Sequence, residues 1–295
     1  MRFNFDYKEP KIVAEIGCNH MGDFEIAKEL IKLAKDAGAG YVKFQKRDND
    51  WWLSVKPEWN DTHPNPWNSY GDTYYEHRVA LEFSFEQHAK LKKYCEELGI
   101  VYSTSVWDVN SAKGISKLNP EFIKVPSACN TNFEMLKVLR DEYNGQVQLS
   151  IGMTTKEEVE NIVKFFEETG SAKNRLMIYS CTSGYPVPPE DVALLEINWL
   201  YEDYEHRVNE IGFSGHHLGI ALDIAAYTLG ARWIERHFTK NRAWKGTDHA
   251  ASLEPQGLQK LCRDLDNVYK ALNYKNEELL DIEKVQRAKL KEISK

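Results

Sequence analysis

Two lysines stand in runs of sequence that do not suit an exposed side chain: Lys43 in YVKFQK and Lys124 in FIKV. Apolar, β-branched runs of this kind belong in a buried sheet, and an ammonium buried there needs a partner. Glu15, in IVAEIG, and Glu235, in WIERH, are acids in equivalent runs. Either these acids pair with the lysines as structural salt bridges, or the lysines join nearby hydroxyls to cradle a phosphate and a carboxylate. His216 and His237 close two further runs. A lone strand-end histidine is more often a hydrogen-bonded core residue than a ligand. Two at adjacent strand ends can instead converge on one divalent ion and leave positions open for substrate. Asp248, in GTDH, follows closely and suits a metal, a sugar hydroxyl or neither.

These groups can act together only if the ends of their strands meet. Strand-like runs occur at residues 12–18, 41–46, 101–106, 122–128, 147–152, 176–182, 210–216 and 232–238. Each precedes a stretch of helical periodicity, beginning near Phe24, Phe85, Val109, Asn132, Lys156, Pro189, Gly219 and Glu254. Thr155 and Glu158 have the spacing of a capping box at one of these starts. Such alternation builds a parallel sheet. A doubly wound sheet would need fewer strands and a reversal of their order, so the expectation is closure into a (β/α)8 TIM barrel. The active site of that fold lies at the C-terminal strand ends, where this sequence collects polar residues: Glu15, Lys43 and Gln45, Ser103 and Thr104, Lys124 and Ser127, Ser150, Thr182 to Tyr185, Ser214 to His217, and Glu235 to His237.

The chain has 295 residues, a length one barrel can fill. Residues 1–275 are expected to form it, with an insertion at about 47–83 and a charged helical tail at 276–295. The insertion carries Trp51, Trp52, Trp59, Trp67, Tyr70, Tyr74 and Tyr75, too aromatic for a linker. It reads as a lid, or as a flap packed on the barrel or on a second subunit. A net charge of -7 argues against nucleic acid and anionic membranes. The five scattered cysteines read as reduced thiols. No apolar run is long enough for a bilayer, and the polar start lacks a signal core, so a cytoplasmic location is expected.

Several segments, in order, resemble motifs of the sialic acid synthase family: AEIGCNHMGD (14–23), GYVKFQK (40–46), SIGMTTKEEVE (150–160), SCTSGYPVPPEDVAL (180–194), GFSGHHLGIA (212–221), and IERHFTK with GTDHAASLEP within 234–255. Members condense phosphoenolpyruvate with an open-chain sugar aldehyde, giving a 3-deoxy-2-ulosonic acid and phosphate. The resemblance implies phosphoenolpyruvate contacts from Lys43, Thr104, Lys124, Ser127, Ser150, Ser183, Ser214 and His216. It also implies metal ligation by His216 and His237, with manganese the expected ion and magnesium or cobalt as alternatives. Gln45, Tyr185 and Asp248 match residues that handle the acceptor sugar, for which an N-acetylmannosamine-like hexose is expected. Glu15, Glu235 and His216 form the expected catalytic set. A homodimer is implied by the family alone.

The sequence also departs from the family pattern. Many members carry a C-terminal antifreeze-like domain whose arginine reaches the partner's sugar site, and the resemblance here covers the barrel only; the aromatic insertion is expected to supply the missing cover. Cys129 stands where some members have a glutamate, Ser183 replaces a frequent asparagine, and Ser214-Gly215-His216-His217 replaces the commoner Ser-Asp-His-Thr. The rival readings are a related synthase using a phosphorylated sugar, with Arg47, Arg78 and Arg236 as candidate phosphate contacts, and a barrel that binds sugar without turnover.

Overall fold

Strand alternation turns an apolar set outward to the helices and, toward the C-terminal strand ends, a polar set inward. The computed structural model describes residues 6–292. Among them the strands are β1 (Lys11–Gly17), β2 (Tyr41–Lys46), β3 (Val101–Val106), β4 (Phe122–Val125), β5 (Gln146–Ser150), β6 (Leu176–Cys181), β7 (Glu210–Gly215) and β8 (Trp233–His237). They pair in sequence order, all parallel, and β1 pairs with β8 to close the barrel. The fold is the expected (β/α)8 barrel.

The helices are α1 (Phe24–Asp36), α2 (Asn49–Val55), α3 (Tyr74–Leu81), α4 (Phe85–Leu98), α5 (Val109–Leu118), α6 (Phe133–Asp141), α7 (Lys156–Glu167), α8 (Ala172–Arg175), α9 (Glu196–Tyr204), α10 (Ala221–Thr228), α11 (Pro255–Ala271) and α12 (Asp281–Leu290). Their amphipathic spacing explains the outer layer: α1 buries Ala27, Leu30, Ile31 and Ala34, a stripe at i, i+3, i+4 and i+7. Caps fix the starts. Asp23 accepts from the backbone N–H groups of Glu25 and Ile26, and Thr155 and Glu158 form the expected reciprocal box at α7.

Two local expectations fail for identifiable reasons. The strand at 122–128 stops at Val125 because Pro126 has no N–H to continue the ladder, and Ser127–Cys129 turns as a 3-10 helix instead. The helix expected near Pro189 is only a 3-10 turn, Pro189–Asp191, with Ala193 at φ 52; the α-helix begins at Glu196.

Inside the barrel, Val13, Phe122, Met177, Tyr179 and Trp233 form an apolar plug toward the N-terminal ends of the strands. The Lys11 ammonium lies 4.3 Å from the Trp233 ring centroid on that side. One step farther along the strands the plug gives way to charge. Register brings Glu15 opposite Lys43 on one side and His237 on the other, and Ser214 opposite Glu235. Gly17 occupies the left-handed region at φ +55; a Cβ there would meet Gln45 Nε2 at 3.0 Å and Glu15 Oε1 at 3.1 Å. Glycine thus lets β1 end within the crowded strand-end layer.

Candidate active site

Period-two alternation turns Lys43, Lys124, Glu15 and Glu235 into the lumen, where all four are buried. Lys43 pairs with Glu15 and donates to Ser105 Oγ at 2.7 Å; its ammonium lies 3.8 Å from Glu235 Oε2. Lys124 pairs with Glu235 across the barrel and rests 4.4 Å from the Tyr179 ring centroid. Ser214 donates to Glu235 Oε1 at 3.0 Å. Burial alone would raise the Glu235 carboxyl, but the two lysines outweigh it and hold it below the usual carboxylate range. Burial draws Lys124 down despite Glu235. Because two ammonium groups face this one carboxylate, the ion-paired state is the one the geometry favours. The four charges balance, so the belt is a neutral, hydrogen-bonding floor.

Beside the belt, the ends of β4, β5 and β6 present hydroxyls. A Cβ added at Gly152 would lie 2.4 Å from Ser183 Oγ and 2.9 Å from Ser127 Oγ, so the absent side chain leaves room for both. Ser150 Oγ is buried without a hydrogen-bond partner. An orphaned hydroxyl lining one cavity with two others is ready for a ligand rich in acceptor oxygens.

At the ends of β7 and β8 the His216 and His237 ring centroids are 5.4 Å apart. Tyr185 packs against both, at 4.4 and 5.8 Å. His216 Nδ1 lies 3.0 Å from the Thr182 carbonyl, which fixes the proton on Nδ1 and leaves the Nε2 lone pair free. Burial, then the neighbouring His237, pulls the His216 pKa down to about 3. His237 Nδ1 is buried without a hydrogen-bond partner, 3.8 Å from Asp248 Oδ2. A neutral imidazole with a free lone pair and an orphaned second ring fit a divalent ion with two nitrogen ligands. No group of three or more candidate ligands occurs among the described residues.

The insertion covers this floor. Trp52 stacks on Trp59 with centroids 5.3 Å apart and planes 3° from parallel, and Tyr74 meets the edge of Trp59. Tyr70 donates to the Lys245 carbonyl, tying the insertion to the loop after β8. Arg47, His63, Tyr74, His77 and Arg78 therefore form one wall of the strand-end cavity, which has a volume of about 540 Å³. Arg47 stacks on Trp107 at 3.6 Å; Arg78 donates to the Tyr74 hydroxyl at 3.2 Å and to Cys18 Sγ at 3.6 Å.

The expected site residues Glu15, Lys43, Gln45, Lys124, Ser127, Ser150, Ser183, Tyr185, Ser214, His216, Glu235, His237 and Asp248 all line this cavity. Thr104 does not. It shares the outward face of β3 with Tyr102, whose hydroxyl is 2.7 Å from His88 Nδ1 of α4, and Ser105 takes the inward position beside Lys43. Arg236 is likewise no phosphate contact: it points out of the lumen, pairs with Asp223 and donates to the His217 carbonyl at 2.6 Å. Cys129, buried outside the lining, donates to the Trp107 carbonyl at 3.3 Å. Sequence reasoning missed Ser105, His63 and His77. None of the three had a local signal: Ser103, Thr104 and Ser105 are polar in succession, and the two histidines sit within the insertion.

The NeuB family profile matches residues 30–277. N-acetylneuraminate-9-phosphate synthase of Homo sapiens is 38% identical over 275 residues, covering 92% of this chain and 74% of that protein. N,N'-diacetyllegionaminic acid synthase of Campylobacter jejuni is 31% identical, covering 90% of this chain and 78% of its own length. The crystal structure of N-acetylneuraminic acid (sialic acid) synthetase from Leptospira borgpetersenii superposes with a TM-score of 0.81 at 27% identity, covering 96% of this chain and 93% of that one.

Proposed function

The chain belongs to the NeuB family of sialic acid synthase-type, carbon–carbon bond-forming enzymes, and on that premise we propose that it condenses phosphoenolpyruvate with an open-chain sugar aldehyde. The products are a 3-deoxy-2-ulosonic acid and phosphate. The carrying observation is that Lys43, Lys124, His216 and His237, from four strands, line one cavity at the catalytic end of the barrel.

The hydroxyls of Ser127, Ser150 and Ser183 hydrogen-bond the phosphate of phosphoenolpyruvate, and Lys43 and Lys124 orient its carboxylate. His216 and His237 would hold a divalent ion, manganese for choice, which would supply Lewis-acid polarisation of the acceptor carbonyl. The enol methylene carbon attacks the aldehyde carbon, forming the new bond. Water then adds to the cationic C2, and Glu15, hydrogen-bonded to Gln45 Nε2 at 3.1 Å, accepts a proton from it. Collapse of the tetrahedral adduct breaks the C2–O bond and expels phosphate. Glu235 holds Lys124 and Ser214 in register for the substrate. Gln45, Tyr185 and Asp248 face the acceptor.

The test is phosphate release with components omitted in turn. Release is expected only when protein, divalent metal, phosphoenolpyruvate and sugar are all present. Turnover without metal contradicts the proposal, and binding without turnover across a sugar panel favours a binding protein instead. The names of the curated relatives include both free acids and a 9-phosphate, so the acceptor's own phosphate must be read from the site.

A further inference from the structure

The barrel floor balances its charges, but the wall above it does not. Arg47 and Arg78 both line the cavity, and among the described residues neither forms an ion pair with a carboxylate. Arg47 is 2% exposed, and its Nη1 is buried without a hydrogen-bond partner. The nearby acids are engaged elsewhere: Glu82 with Lys46 at 2.8 Å, and Asp248 with Thr247 Oγ1 at 3.0 Å and with His237.

The two histidines of the same wall are fixed as donors. His63 Nδ1 accepts the backbone N–H of Asn65 at 3.0 Å, and His77 Nδ1 accepts that of Tyr70 at 3.1 Å. In a neutral imidazole whose Nδ1 accepts, the proton resides on Nε2. His63 Nε2 is buried and finds no acceptor. The rings lie 4.5 Å apart, and burial together with Arg78 keeps both in the neutral form. Arg47 Nη1 and His63 Nε2 are therefore N–H groups without an acceptor, and they share the cavity wall with His77 and with Arg78, which spends two of its donors on Tyr74 and Cys18. Donors left unpaired in this way are costly in an empty protein and are satisfied by an oxyanion.

We propose that this wall is a subsite for a phosphomonoester carried by the acceptor sugar, with Arg47 and Arg78 neutralising the charge and His63 and His77 donating to the remaining oxygens. The assignment rests on the synthase reading above. It separates two anion sites: the serine and lysine floor for phosphoenolpyruvate, and the arginine wall, built by the insertion, for the far end of the acceptor. Guanidinium forks suit phosphate oxygens, and a dianion offsets two cations that already face one cavity. Asp248 and Glu82 offset these charges only from a distance, so an uncharged acceptor would leave both guanidinium groups without a direct ion pair.

Calorimetry with N-acetylmannosamine and N-acetylmannosamine 6-phosphate tests the subsite, alongside phosphate release from phosphoenolpyruvate with each sugar. The wild-type protein is expected to bind the phosphate ester on the order of 10- to 100-fold more tightly than the free sugar, and Arg78→Gln to abolish that preference while leaving the free sugar's affinity within about threefold. Arg78→Lys, which keeps the charge and loses the fork, serves if the glutamine variant does not fold, with an intermediate loss expected. Equal binding of both sugars by the wild type, or equal weakening of both by Arg78→Gln, overturns the subsite while leaving the synthase reading intact. Tight binding of the ester without turnover of either sugar overturns the synthase reading and leaves the subsite standing. Inorganic phosphate binding as tightly as the ester, with no preference between sugars, assigns the wall to released phosphate and overturns the acceptor assignment.

Discussion

Lys124 of β4 and Glu235 of β8 form a buried ion pair across the barrel lumen, with both side chains 4% exposed. Glu235→Leu strands Lys124, and loss of one member of a buried pair costs about 3–5 kcal/mol. The double variant Lys124→Met with Glu235→Leu removes both charges and is expected to recover much of that stability. Urea denaturation of the two variants distinguishes these outcomes. Turnover should be lost in both, because the pair also forms the floor of the site.

The two hydroxyls of β3 should separate cleanly. Ser105→Ala removes the 2.7 Å partner of Lys43 and is expected to raise the phosphoenolpyruvate KM by about 10-fold or more, as for a bond to a charged group. Thr104→Val, on the opposite face, should leave that KM within about twofold, since the hydroxyl it removes interacts with Tyr102 and the Ser105 carbonyl, outside the cavity lining. Steady-state kinetics with varied phosphoenolpyruvate would read the difference; a larger effect from Thr104→Val would contradict the inward role of Ser105.

The two imidazoles should govern metal affinity. His216→Ala and His237→Ala are each expected to weaken manganese binding by at least about 100-fold, read directly from the free-ion signal in electron paramagnetic resonance. Unchanged affinity in both variants would remove the metal site from this end of the barrel.

The insertion should act on one substrate more than the other. Trp52→Ala breaks the stack with Trp59 and is expected to raise the acceptor's KM on the order of 10-fold through misplacement of the wall, with little change for phosphoenolpyruvate. Replacing residues 51–75 by a short linker should exaggerate this asymmetry. Equal effects on both substrates would show that the insertion only supports the fold.

Acid stability has one legible contributor away from the site. Arg207, bonded to both Glu160 and Glu167, holds the Glu160 carboxyl at about 2 instead of the ordinary value of 4.5. A depressed folded-state pKa contributes stability above the unfolded value, and that contribution fades as pH falls from about 4.5 toward 2. The stability difference between wild type and Glu160→Gln should thus be largest at neutral pH and shrink across that window in urea titrations.

The amino-acid sequence by itself determined that the chain alternates strand and helix around a barrel and that Lys43, Lys124, His216 and His237 end up at the same end of it. Parallel strands in a regular repeat all run the same way, so residues near their C-termini must meet. Tertiary structure alone decided which face of β3 looks inward, because Ser103, Thr104 and Ser105 are polar in succession and give no alternation to read. It also decided that Arg236 turns outward to Asp223 while Arg47 and Arg78 turn in. A strand fixes the direction of each side chain once its register is set, whereas the insertion finds its shape only by packing Trp52, Trp59 and Tyr74 on one another, through contacts between residues distant in sequence that no local pattern encodes.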